Sequence, residues 1–207
     1  MSKSNSARFI SFEGVDGAGK STQIDALAQT LRARGVALMQ TREPGGTPLG
    51  ESLRALMLGQ DMDALTETLL MFAARREHVR QVIVPALHAH RWVLCDRYTD
   101  ASYAYQGGGR GVAVERLDAL AGWVQEGLEP DLTVLVDIDP AEAQRRRARA
   151  RSADRFEVEP AAFFAAVRAA YLARAAAAPA RFAVVDGAVP APDVTAAILE
   201  RLAPWLT

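Results

Sequence analysis

An apolar run, Arg8-Phe9-Ile10-Ser11-Phe12-Glu13, leads directly into Gly14-Val15-Asp16-Gly17-Ala18-Gly19-Lys20-Ser21, with Thr22 following. The eight residues from Gly14 match G-x-x-x-x-G-K-[ST] without a departure. No other stretch constrains the fold as strongly, because the pattern requires a strand before it and a helix after it. The glycines let the backbone bend around an anion with its N–H groups pointing inward. The helix that starts near Lys20 adds the positive end of its dipole. Lys20 would reach the outer phosphates of a nucleotide and Ser21 would hold Mg²⁺. The competing reading is a glycine-rich turn that only caps a helix.

The rest of the chain repeats the same alternation. Strand-like runs fall at 8–13, 36–41, 91–96, 132–138 and 181–186, and helical periodicity covers 20–34, 48–58, 63–89, 113–127, 140–150, 160–178 and 192–206. Continuous apolar strands between helices specify an α/β fold with a parallel sheet covered on both faces. Ligands bind such sheets outside the carboxyl ends of the strands. Gly14–Ser21, Arg42–Gly46 and Asp96-Arg97 all fall there. With 207 residues and no internal repeat, one domain is expected.

Composition narrows the function. A net charge of -1 argues against binding nucleic acid by charge alone. The single cysteine, Cys95, has no internal disulfide partner. No apolar run is long enough to span a membrane, and residues 1–7 read as a short polar tail without a signal-peptide pattern, so a cytoplasmic protein is expected. Only two of the 24 basic residues are lysine, Lys3 and Lys20, yet one stands in the glycine loop. Switch GTPases read guanine with an Asn-Lys-x-Asp element, and the sole asparagine here is Asn5. Asp16 raises a question of its own. A carboxylate beside a triphosphate is repelled unless it faces a donor such as a sugar hydroxyl.

Six segments are similar to thymidylate kinases: FEGVDGAGKST, TREPGGTPLGESLR (41–54), LLMFAARREH (69–78), DRYTDASYAYQGGGRG (96–111), PDLTVLVDIDP (130–140) and RRRARARSADRFE (145–157). The resemblance covers nearly the whole chain. It implies a three-layer αβα fold of the P-loop NTPase type, with a five-stranded parallel sheet and a short mobile lid over 145–157. The implied reaction is transfer of the γ-phosphoryl of MgATP to dTMP, giving dTDP and ADP in dTTP synthesis. A homodimer is also implied, and the apolar helix 63–89 offers a contact surface for it. Gly17 stands where some members carry a loop arginine, which points to the bacterial type that supplies the arginine from the lid.

The resemblance assigns roles to named positions. Asp16 contacts the acceptor's sugar hydroxyl, Arg97 and Arg54 clamp its phosphate, and Asp96 partners Mg²⁺ through water. Phe72 stacks on thymine, and an arginine one turn later contacts the base, with Arg75 favoured and Arg76 left open. Ser102, Tyr105 and Gln106 complete the base and sugar contacts, Tyr105 crowding the 2′ position and Gln106 offering a donor and an acceptor. Glu43 precedes Pro44-Gly45-Gly46, a rigid turn able to aim its carboxylate at the site. Of the lid arginines Arg147, Arg149, Arg151 and Arg155, Arg149 or Arg151 is expected to reach the transferring phosphoryl group.

This chemistry needs no strong base, because a nucleotide monophosphate with a second pKa near 6 is already mostly ionised at neutral pH. Positioning and charge neutralisation suffice. His78, His88 and His90 are accordingly read as surface or packing residues. The rival readings are another P-loop nucleotide or deoxynucleoside kinase and a nucleotide-timed binding protein. A deoxynucleoside kinase needs a carboxylate base, for which Glu13 is the loop candidate besides Asp16. Leu65, Leu69, Phe72, Val79 and Ile83 read as one helical stripe. The three glycines at 107–109 read as a loop whose unusual conformations let it close over a ligand.

Overall fold

The apolar run at the start of the chain forms β1 (Phe9–Glu13), buried at every position. A strand covered on both faces needs neighbours on both sides, and it has them. In this computed structural model, which describes residues 7–148 and 159–206, β1 pairs in parallel with β3 (Trp92–Asp96) and with β4 (Leu132–Asp137). With β2 (Leu38–Arg42) and β5 (Phe182–Asp186) at the edges, the all-parallel order is β2-β3-β1-β4-β5. The five expected strands are all present, each bounded within two residues of its sequence reading.

From β1 the chain crosses to one edge, and from β3 it crosses to the other side. The loops after these two strands therefore leave side by side at the switch point, where α/β sheets bind ligands. Register fixes how close they are: Phe12 pairs with Asp96, and Arg97 N–H donates to the Phe12 carbonyl at 2.9 Å.

Helices cover both faces, giving the three layers. One apolar cluster joins Ile10, Phe12 and Val134 of the sheet to Leu27 of α1 (Lys20–Ala33), Val167 of α8 (Ala161–Ala177) and Ile198 of α9 (Ala191–Leu202). The other joins Phe9, Val93 and Cys95 to Val79, Ile83 and Tyr98. The alanine-rich stretch is thus an integral core helix. Phe163, Phe164, Val167, Tyr171 and Ala175 of α8 are buried at helical spacing.

Two helical regions depart from the sequence reading. The single helix expected over 63–89 is α3 (Ala64–His78), a π-helical turn Val79–Ile83, and α4 (Val84–His88). Pro85 explains the break. It has no N–H for the carbonyl four residues earlier, and the chain widens instead, with Val84 N–H reaching the Val79 carbonyl five residues back. The glycine stretch expected as a loop is helical. α5 (Thr99–Ser102) continues as a π-helix through Tyr103–Gly109. These glycines serve close packing and not unusual conformation. A Cβ on Gly108 would lie 2.7 Å from the Ala170 Cβ, and one on Gly109 would lie 2.4 Å from the Phe163 ring.

α2 (Pro48–Gly59), α6 (Val114–Gln125) and α7 (Pro140–Ala148) complete the layers. No helix among the described residues is long and apolar enough to cross a membrane.

Candidate active site

The glycine loop is built to hold an anion. α1 begins after Gly19, with no side chain capping its N-terminus and no acid in its first turn. Its leading N–H groups are thus left for a ligand. Lys20 is buried, its Nζ folded onto the loop carbonyls of Gly14 at 3.1 Å and Val15 at 3.3 Å. Burial lowers the Lys20 pKa, and Arg97 beside it pushes in the same direction. Gly17 carries a φ of +90°, and a Cβ there would lie 2.2 Å from the Ala143 carbonyl of α7. No side chain fits at that position, so this loop cannot supply an arginine of its own.

Arg97 organises the junction of the two loops. It has a φ of 69°, rare for a side chain of this size. Its Nη2 donates to Asp16 Oδ1 at 2.9 Å and to the Tyr105 hydroxyl at 3.0 Å, and its Nη1 donates to the Tyr171 hydroxyl at 3.2 Å. Its guanidinium lies over the Tyr105 ring at 4.6 Å. Burial would raise the Asp16 pKa, but Arg97 and Lys20 outweigh it and hold the carboxyl well below the usual carboxylate range. Glu13 behaves in the opposite way. Fully buried, its oxygens are taken by Tyr98 N–H and the Tyr171 hydroxyl, and burial with the nearby Asp100 pushes its pKa up to about 8. Both of its oxygens are engaged in the core, away from any acceptor hydroxyl whose proton the base of a deoxynucleoside kinase would take.

A cavity opens beside this junction, and Asp16, Glu43, Arg54, Arg75, Arg97, Ser102, Tyr105 and Gln106 line it. Eight of the sequence-predicted residues are therefore brought to one space. Arg75 lines the cavity, whereas Arg76 turns away to the Val124 carbonyl at 3.0 Å and Glu126 at 3.1 Å. Arg75 is almost fully committed: Nε donates to Glu43 Oε2 at 2.7 Å, and Nη2 donates to the Tyr98 carbonyl at 3.1 Å and Ser102 Oγ at 3.0 Å. Its buried Nη1 makes no hydrogen bond among the described residues. Gln106 Nε2 donates to Glu67 at 3.0 Å, which leaves a second N–H and Oε1 as the groups it can offer. Phe72, expected to stack on thymine, is instead 1% exposed, does not line the cavity, and has its ring covered by the Arg75 guanidinium at 4.7 Å. Met71, one turn before Arg75 and not singled out from the sequence, is the apolar side chain of α3 that lines the cavity.

Ser21 and Asp96, the expected metal partners, line a second hollow together. Asp96 Oδ1 is buried without a hydrogen bond among the described residues. One hydroxyl and one uncommitted carboxylate oxygen suit Mg²⁺, which keeps several waters and takes its other ligands from phosphate oxygens. The residues fit the ion.

Of the lid arginines, Arg149, Arg151 and Arg155 lie outside the described residues. Arg147 at the end of α7 is buried, its guanidinium 5.4 Å from the centre of the Phe164 ring. It also helps to lower the Asp16 pKa. His88 and His90 are exposed, as expected. His78 is fully buried and bonded at both ring nitrogens, to Glu43 and Thr41. The sequence reading of His78 as a surface or packing residue gave no sign of this polar network. Tyr171, which joins Glu13 to Arg97, was also missed, because its spacing in α8 marks only a core position.

Strand order, phosphate loop and a second cavity rich in arginine define a P-loop enzyme that moves a phosphoryl group between two anionic ligands. A sequence model described as Thymidylate kinase matches residues 12–198. A thymidylate kinase of Ralstonia nicotianae is 56% identical over 191 residues, covering 90% of this chain and 93% of its own. One of Cupriavidus metallidurans is 55% identical, covering 95% and 98%. A crystal structure of thymidylate kinase from Ehrlichia chaffeensis superposes with a TM-score of 0.78 at 34% identity, covering 95% of this chain and 98% of that one. The chain belongs to the thymidylate kinase family.

Proposed function

We propose that this enzyme transfers the γ-phosphoryl of MgATP to the phosphate of dTMP, giving dTDP and ADP for dTTP synthesis. The bond from the γ-phosphorus to the bridging oxygen of ADP breaks as a dTMP phosphate oxygen attacks. The observation that carries the reading is the pairing of groups on the acceptor cavity. Arg97, Arg54 and Arg75 line it with positive charge, beside Ser102, Tyr105 and Gln106. A pyrimidine that presents a carbonyl to Arg75 and an adjacent ring N–H to Gln106 Oε1 matches these groups.

Each remaining residue has a task. The loop Gly14–Thr22 binds the ATP phosphates, with Lys20 on the transferring group. Ser21 and, through water, Asp96 hold Mg²⁺, which neutralises charge between donor and acceptor. Asp16, ionised beside Arg97, accepts from the sugar hydroxyl, and Tyr105 stands against the 2′ position. Phe72 supports the base contact from beneath Arg75. Gly17 cannot carry a side chain, which supports a lid supply of the last positive charge, from Arg149 or Arg151. The enzyme acts in the cytoplasm as a homodimer joined through α3, without nucleic acid or a membrane as partner.

A coupled assay with MgATP and, in turn, dTMP, dUMP, dGMP, AMP and thymidine tests this. Turnover should be highest with dTMP and near background without an acceptor. Efficient conversion of another acceptor with dTMP inert, or ATP hydrolysis indifferent to acceptor, refutes it.

A further inference from the structure

The carboxylate of Glu43 is buried and divided between two partners. Oε2 accepts from Arg75 Nε at 2.7 Å, and Oε1 meets His78 Nδ1 at 2.9 Å. Arg75 and His78 together hold the Glu43 carboxyl below its ordinary pKa against the opposing effect of burial. An ionised carboxylate only accepts hydrogen bonds, so the imidazole nitrogen facing it carries the proton. The other ring nitrogen, Nε2, is hydrogen-bonded with Thr41 Oγ1 at 2.6 Å. A hydrogen-bonded chain runs from Thr41 on β2 through His78 and Glu43 to Arg75.

A histidine that merely fills space does not require this arrangement. Both nitrogens are engaged, the side chain is fully buried, and the ring presses so closely on the turn after β2 that a Cβ on Gly46 would lie 2.8 Å from it. The guanidinium is planar, so pinning Nε by Glu43 and Nη2 by the Tyr98 carbonyl and Ser102 fixes where the unpartnered Nη1 points. The seat of Arg75 in the cavity wall therefore depends on where Glu43 sits, and His78 holds Glu43 from its other side.

We propose that His78 is a positioning residue for acceptor recognition, holding the Glu43 carboxylate so that Arg75 keeps its orientation in the cavity wall. The inference rests on the reading of this cavity as the dTMP site. It assigns to a histidine outside the cavity lining a share of the acceptor's affinity and none of the chemistry.

The test compares wild type, His78→Leu, His78→Asn and Thr41→Val by steady-state kinetics, varying dTMP and ATP separately, with a thermal melt of each. His78→Leu removes the donor to a charged group and should raise KM for dTMP about 10- to 100-fold. KM for ATP and kcat at saturating dTMP should stay within about twofold, the pattern of lost ground-state binding. His78→Asn, whose amide N–H can stand in for Nδ1–H, should recover most of the loss. Thr41→Val, nearly isosteric, should raise KM for dTMP by about threefold.

The proposal is overturned if KM for dTMP is unchanged in His78→Leu, or if KM for ATP and kcat deteriorate equally. It is also overturned if His78→Asn melts like wild type yet binds dTMP no better than His78→Leu. Should His78→Leu fail to fold, an unchanged KM for dTMP in Thr41→Val overturns it. Wild type inert toward dTMP but active on another acceptor refutes the substrate reading instead, and the same comparison on that acceptor then decides the role of His78.

Discussion

At the scale of single residues, adjacent arginines on one helix have unrelated surroundings. Arg75 is sandwiched in polar contacts at the cavity wall, and Arg76 reaches the C-terminal end of α6. Replacing a buried pair's partner outright costs about 3–5 kcal/mol, so alanine at Arg75 would confuse recognition with folding. Lysine keeps the charge near Glu43 but loses the planar fork. Arg75→Lys is expected to raise KM for dTMP at least about tenfold, while Arg76→Ala stays within about twofold in steady-state assays. The sequence favours Arg75 but leaves Arg76 open, since residues three and four apart share a helical face. Which of two neighbours turns inward is decided by contacts with Glu43, Tyr98 and Ser102, on segments that no local pattern connects to α3.

At the scale of elements, Glu13 of β1, the backbone of Tyr98 after β3 and Tyr171 of α8 form a buried joint beneath the site. The folded state holds the proton on Glu13 up to about pH 8, whereas the unfolded chain releases it near 4.5. Between those values the unfolded state binds fewer protons, so stability falls as pH rises through that window. Glu13→Gln, which imitates the protonated acid, should therefore melt near wild type at pH 4.5 and above it at pH 9. Thermal melts across that range check this; equal slopes for both proteins would refute it. The strands were legible because continuous apolar runs have few other uses. The helix from Thr99 to Gly109 was not, since three glycines signal a turn locally, while here they clear space for Ala170 and Phe163 of α8.

At the scale of the whole molecule, the apolar stripe expected along α3 divides in two. Phe72, Val79 and Ile83 enter the core, whereas Leu65 and Leu69 stay 39% and 49% exposed, joined by Leu56 of the adjoining α2 at 38%. Helical periodicity found the stripe but could not tell burial within the chain from burial against a second copy. If a homodimer forms through this face, Leu69→Glu should shift the protein toward monomer in sedimentation experiments while leaving its melting curve close to that of wild type. Persistence of an unaltered dimer would place the contact elsewhere.

The carbonyl of Ala143 occupies the space that any substituent on Gly17 would need. α7 and the nucleotide cradle are thereby wedged into one unit, and an arginine at position 17 would first demand that α7 be drawn back. Retracting α7 would also carry Arg147 away from Asp16, whose ionised form it helps to hold.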